Sequence, residues 1–303
     1  MDMLMQIGIS AVLALLLSLM TYKCGLLTKS GCVSAAAIGM GIGVFGSLNW
    51  LILLIVFALL GFAATIAGFS KKRKMGVQEG EHGERGAMNI LGVAIPPLII
   101  ALMNFFIPGH YDVFSMAYIA TIAVAAADTA ASEIGVKDPK VWMITTLKRT
   151  EPGVDGGVSV KGTLISLVGS AVVSVIGALV IFYTMDIYVL VPVVCGFLGC
   201  LLDSVIGATV ETWGYVSKYG NNCITGIAGG LLTVLILMLV GDQQGLPFNS
   251  WITSSKVALN ILLTSMHSPM SASISEGDVV MTLYIMPFSS ILMEKNGIFS
   301  IMR

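Results

Sequence analysis

The sequence predicts an all-α protein, a polytopic transmembrane helical bundle of about eight spans with its N-terminus external. Three observations predict it. Hydrophobic residues make up 56% of the 303 residues and charged residues only 11%, whereas a soluble domain carries roughly 25% charge. The apolar residues fall into runs close to the ~20 residues that a helix needs to cross a bilayer. The basic residues gather in alternate connections between those runs. A net charge of −1 says nothing about nucleic acid, but interleaved basic and aromatic residues are lacking and no nucleic-acid partner is expected.

The first run, residues 4–22, lacks the basic start of a signal peptide, since Asp2 is the only charge before Lys23. It is nearly long enough to span and is read as the first helix. The second, 31–46, is short and carries Gly31, Gly39, Gly41, Gly43 and Gly46. Close packing through small residues is favoured there over a broken helix lining a site. Spans at 48–69, 88–107, 114–135, 163–184, 187–206 and 222–241 follow. Residues 1–241 thus form a transmembrane catalytic domain, and 242–303 a C-terminal tail. Within the tail, 251–266 and 279–293 are moderately apolar but interrupted by Ser, Lys, Glu and Pro. An amphipathic or extramembrane tail is the first reading, and a ninth span near 279–293 the alternative.

Charge sets the orientation. Lys23 and Lys29 follow the first span. Lys71, Lys72, Arg73, Lys74 and Arg85 follow the third. Lys137, Lys140, Lys148, Arg149 and Lys161 follow the fifth, and Lys218 follows the seventh. These are 13 of the 16 basic residues, all on one side. The positive-inside rule makes that side cytoplasmic. Asp128, Glu133, Asp203, Asn89, Asn221 and Asn222 then all lie at cytoplasmic helix ends, and Asp155 lies in a cytoplasmic loop. Lys71 to Lys74 read as a cluster facing anionic headgroups. Glu79, Glu81, Glu84 and Arg85 read as a solvated face.

Two acidic motifs stand where acid is costly, Asp128-Thr129-Ala130-Ala131-Ser132-Glu133 and Leu202-Asp203-Ser204. An ionised carboxylate at the bilayer centre costs roughly 2.5–3.5 kcal/mol on insertion scales, so such residues face polar cavities and mark function. Asp128 and Ser132 share a helix face. Glu133 stands about 140° round from Asp128, so one ion cannot take both from a straight helix. Asp128 is the better metal ligand, and Glu133 contacts a basic loop residue or a second ion. Asp203, Gly207 and Glu211 recur at four-residue steps, with Ser204 beside them. Between the motifs lies a loop with Lys148, Arg149, Gly153, Asp155, Gly156, Gly157 and Ser159. Its glycines can turn backbone N–H groups toward an anion, and its basic residues can neutralise phosphate oxygens. An ordinary flexible turn is the alternative, and no P-loop motif occurs. Acids for a metal beside a phosphate-friendly loop suggest phosphate chemistry at a membrane surface. The five cysteines, without a C-x-x-C, read as small buried hydrophobes.

Asp128 to Gly135, Pro152 to Ser159 with Gly162-Thr163, Leu202 to Thr209, and Asn221-Asn222 together resemble the phytyl-phosphate kinase and transmembrane-protein-19-like family. The likeness runs from about residue 1 to 241. More remotely, the chain is similar to the CTP-dependent polyprenol kinases and phosphatidate cytidylyltransferases. The resemblance implies Mg²⁺-dependent phosphoryl transfer from a nucleotide triphosphate, CTP by likeness, to an isoprenoid monophosphate. It implies Asp128 and Asp203 as metal ligands with Glu133 as a further one, and Lys148 with the 153–157 backbone and Ser159 holding nucleotide phosphates. Asp155 would ligate or orient. Asn89, Asn221, Asn222, Thr129, Ser132 and Ser204 would shape the pocket. Glu211 stands where that family leads one to expect an amide. Two other readings keep the same acids: a cytidylyltransferase that makes a CDP-lipid, and a transporter.

Overall fold

The computed structural model describes residues 2–76, 83–135 and 138–241, together with two short strands at 273–276 and 279–282. Among the described residues, eight helices are long and apolar enough to cross a membrane. They are α1 (Met3–Lys23), α2 (Lys29–Gly41), α3 (Leu48–Met75), α4 (Ala87–Phe106), α5 (Tyr111–Ile134), α6 (Val160–Phe182), α7 (Leu190–Ile206) and α8 (Lys218–Gly241). Two of them end in a wider π turn. Ile42–Gly46 completes α2, and Gly207–Glu211 completes α7. The second span is therefore not broken by its glycines, and Gly43 packs against the Ser10 side chain of α1.

Helix α5 is the axis of the bundle. In it 83% of the membrane-length window is buried, against 17–39% in the other spans. It packs on α3, α4, α6, α7 and α8. Glycines on its neighbours allow this: a Cβ on Gly229 of α8 would stand 2.5 Å from Val124, and one on Gly169 of α6 would stand 2.9 Å from the Ala126 carbonyl oxygen. Such surfaces let helix backbones approach where lipid gives no hydrophobic drive to associate. At the far end of the bundle Trp50 of α3 stacks on Tyr118 of α5 at 4.4 Å. The Trp50 indole donates to Ser115 Oγ (3.1 Å), and the Tyr118 hydroxyl donates to the Trp50 carbonyl (2.7 Å). Both buried polar groups are thereby satisfied.

Two features depart from the sequence reading. Lys71 to Lys74 are not a loop but the last turns of α3, which Gly76 closes in the left-handed conformation (φ 70°). Cations there complement the helix dipole. The α5–α6 connection folds into a small antiparallel sheet of β1 (Val141–Met143), β2 (Arg149–Thr150) and β3 (Gly157–Val158), in the order β2-β1-β3. The Arg149 guanidinium lies over the Trp142 ring at 4.7 Å.

The chain divides into two compact units, Met1–Gln243 and Gln244–Arg303. In the second, β4 (Ser273–Glu276) pairs antiparallel with β5 (Val279–Thr282). The stretch 279–293 is described only at Val279–Thr282, where it is strand rather than a ninth span. The stretch 251–266 and the residues Glu79, Glu81 and Lys137 lie outside the described residues.

Candidate functional site

At the end of the bundle formed by the α3 and α5 C-termini, a polar cavity of about 190 Å³ opens between α5, α6, α7 and the 153–159 loop. Asp128 and Ser132, one turn apart on α5, face it together, and Ser132 Oγ donates to the Thr129 carbonyl (3.2 Å). Asp203, Ser204, Gly207 and Glu211 line it from α7. On a regular helix Glu211 would stand about 80° round from Asp203. The wider π turn at Gly207–Glu211 turns less per residue and brings it back toward the same face. The Thr212 and Thr209 hydroxyls donate to the Gly207 and Val205 carbonyls (2.7 Å each) that this turn leaves short of partners.

The loop closes the cavity as the glycine spacing requires. Gly153 (φ 90°) and Gly156 (φ 78°) adopt the left-handed conformation. A side chain on Gly156 would collide with Ala208. Loop and π turn therefore touch backbone to backbone, and Gly157 and Asp155 are held on the rim. Ser159 is buried and caps α6, accepting from Gly162 N (3.0 Å). The first turn of α6, with Thr163 and Ser166, thus ends on the cavity.

Two lysines line the site, Lys72 and Lys218. Neither was assigned to it from the sequence. Lys72 is a correction: it is buried rather than headgroup-facing, and its Nζ pairs with Glu133 Oε2 at 3.1 Å. Glu133 also accepts from Thr65 Oγ1 (3.0 Å), and Thr65 accepts from Arg85 Nη2 (3.2 Å). Glu133 thus meets a basic residue, as its angular offset from Asp128 allows. Arg85 is half-buried in this relay and lies over Phe62, so it is not part of a solvated face. Lys148 is a second correction. It is exposed on the β1–β2 turn and absent from the cavity lining, because its backbone pairs with Met143 and turns its side chain out to solvent. Thr129 approaches Gly61 of α3 instead of the cavity. Asn89 accepts from Gly86 N at the start of α4 (3.3 Å) through its Oδ1 and lines a separate apolar cavity.

The two asparagines hold the acids. Asn221 is buried and its Nδ2 donates to the Asp203 carbonyl (3.0 Å) and to Glu211 Oε2 (3.1 Å). Asn222, with its amide nitrogen turned toward acceptors, donates to Asp203 Oδ1 and the Lys218 carbonyl (3.3 Å each). It lines a small recess that Asp128, Asp203 and Thr225 share. Asp128 and Glu211 both act electrostatically on Asp203, and Asp155 acts on Glu211.

Four carboxylates (Asp128, Asp155, Asp203 and Glu211) therefore face two ammonium groups in one cavity. A polyphosphate entering it would be repelled unless cations lay between. The donors are all oxygen, the set that hard divalent ions take. No three such side chains converge into a ready-made cage among the described residues. That fits Mg²⁺, which binds through one or two carboxylates, water and substrate phosphates.

Comparison with known proteins agrees with this architecture. The chain is 31% identical over 237 residues to an uncharacterized membrane protein of Methanocaldococcus jannaschii, covering 78% of this chain and 96% of that one. It is 30% identical over 200 residues to an uncharacterized membrane protein of Synechocystis sp., covering 64% and 77%. It is 27% identical over 190 residues to Protein VTE6, chloroplastic, of Arabidopsis thaliana, covering 61% and 56%. No solved structure matches the chain. The pattern of one family matches residues 12–268, and this chain belongs to it: the integral membrane proteins of family DUF92.

Proposed function

We propose that this protein is a membrane-embedded kinase that transfers the terminal phosphoryl group of a nucleoside triphosphate, CTP by resemblance, to an isoprenoid monophosphate such as phytyl or geranylgeranyl phosphate. The observation that carries the reading is the single cavity in which four carboxylates, two lysines, a glycine loop and a capped helix N-terminus meet at the end of an apolar bundle. Phosphoryl transfer asks mainly for positioning and charge neutralisation. The choice of acceptor comes from the resemblance to phytyl-phosphate kinases.

The acceptor's phosphate oxygen attacks the γ-phosphorus, the bond to the β-bridging oxygen breaks, and the nucleoside diphosphate leaves. That oxygen is already anionic at neutral pH, so no strong general base is needed. Asp128 and Asp203, with Glu211 or Asp155, would hold Mg²⁺, which when bound neutralises triphosphate charge. Lys72 and Lys218 draw phosphate oxygens inward. The Gly153–Gly157 backbone and the first turn of α6 offer N–H groups to the same oxygens. Asn221 and Asn222 fix the Asp203 and Glu211 carboxylates, so that neither has to reorient during transfer. The catalytic unit is residues 1–241. The basic residues around the site support a cavity on the cytoplasmic side with the N-terminus outside.

The test is a purified-protein assay in nanodiscs with γ-labelled CTP or ATP, Mg²⁺ and isoprenoid phosphates of five to twenty carbons. Labelled isoprenoid diphosphate with CDP is expected. Pyrophosphate with a CDP-lipid would replace this reading by a cytidylyltransferase, and ion flux without turnover would replace it by a transporter.

A further inference from the structure

A second cavity, of about 100 Å³, lies among α1, α2, α3 and α4, and its walls are almost wholly apolar. Along α3 its lining runs from Leu51 to Phe62, about 16 Å of helix. So small a volume over that length is narrow, the shape of one hydrocarbon chain rather than a ring system or a paired acyl tail. Its polar end is closed by Arg85 and Asn89. Through Thr65 and Glu133, Arg85 is joined to Lys72, so this end stands level with the polar cavity. The partition is thin. Val93 of α4 lines both the apolar cavity and the recess that holds Asp128, Asp203 and Asn222.

We infer that this cavity is the tail site of the acceptor, taking a single isoprenoid chain with its phosphate beside Arg85 and Val93. The inference rests on the kinase reading for the identity of the acceptor but not for the existence of the site. A guanidinium at the mouth of an apolar slot complements an anion on a hydrocarbon tail. The Leu51–Phe62 wall keeps the chain parallel to α3, and the Val93 edge presents its head toward Asp128.

Two experiments decide it. Wild-type protein in nanodiscs is labelled with a diazirine-bearing geranylgeranyl phosphate analogue, with no nucleotide present. Label is expected in the segments 51–62 and 85–94, competed by geranylgeranyl phosphate but not by phosphatidylglycerol. Label elsewhere, or equal competition by the phospholipid, overturns the proposal. In the second, Ala58→Phe and Ala35→Leu narrow the slot, since both alanines line it. Loss of one or two buried methylenes should raise KM for the twenty-carbon phosphate about tenfold, with the five-carbon phosphate within about twofold of the parent. Equal losses for both chain lengths, or none for either, overturn it. If no substrate turns over at all, the kinase reading fails while the labelling still decides the tail site.

Discussion

The Lys72–Glu133 pair offers the sharpest test of how the site is built. Lys72→Met keeps the length of the side chain and removes its charge. Among the described residues, Glu133 is then left buried with Thr65 alone donating to it, because both side chains are nearly shut off from solvent (11% and 6% exposed). Removing one partner of a buried pair typically costs about 3–5 kcal/mol. Glu133→Gln in the Lys72→Met background removes the orphan. It should recover most of the loss, since neutral partners of similar size often replace a buried ion pair without cost. The assay is a double-mutant cycle on thermal or urea unfolding in one detergent. Nucleotide KM is read alongside it and should stay raised in the double variant, because the ammonium is still missing from the cavity. If the single and double variants unfold alike, the pair does not bear on stability. If the double variant regains the parent's nucleotide KM, Lys72 serves α3 and not the nucleotide.

Three further outcomes follow from the same geometry. Asp128→Asn and Asp203→Asn should each abolish turnover and the Mg²⁺-dependent rise in melting temperature, while the metal-free protein melts no lower than the parent because one of four crowded carboxylates has lost its charge; a Mg²⁺ shift that survives removes that residue from the metal site. Gly156→Ala should lower kcat/KM by about tenfold or more, a loss of at least 1.4 kcal/mol, since its Cβ would strike Ala208 and displace the loop; unchanged kinetics would mean that the loop does not touch the substrate. Lys148→Ala should leave nucleotide KM within about twofold, a side chain exposed to water contributing little, and a larger rise would return Lys148 to the site.

The spans were legible in the sequence because apolar length and alternating charge are one-dimensional signals. The run 48–69 became Leu48–Met75 only because lysine and arginine continue a helix well. That one of those lysines turns inward was not legible, since it depends on Glu133 arriving from another helix. Asp128, Asp203, Ser132, Ser204, Ser159 and the three loop glycines, singled out in the sequence by chemistry and spacing, line the cavity. Lys148 was placed there by its nearness in sequence to those glycines, but a two-residue strand, too short to show any periodicity, turns it outward. The four-residue steps put Glu211 on one strip with Asp203 and Gly207, but the π turn that brings it back to that face is not written in hydrophobic spacing.

The enclosure of α5 also has a bearing on how the molecule is made. This helix leaves the ribosome before α6, α7 and α8, yet those three form much of its wall. Until they arrive, its alanine-rich flank and Asp128 lie against lipid or translocon, with no Asp203 across from them. Helices α7 and α8 therefore complete the surroundings of Asp128. A nascent chain halted before Asp203 holds two of the cavity's four carboxylates, and on the proposed kinase reading a half-built copy left in the membrane would not consume nucleotide.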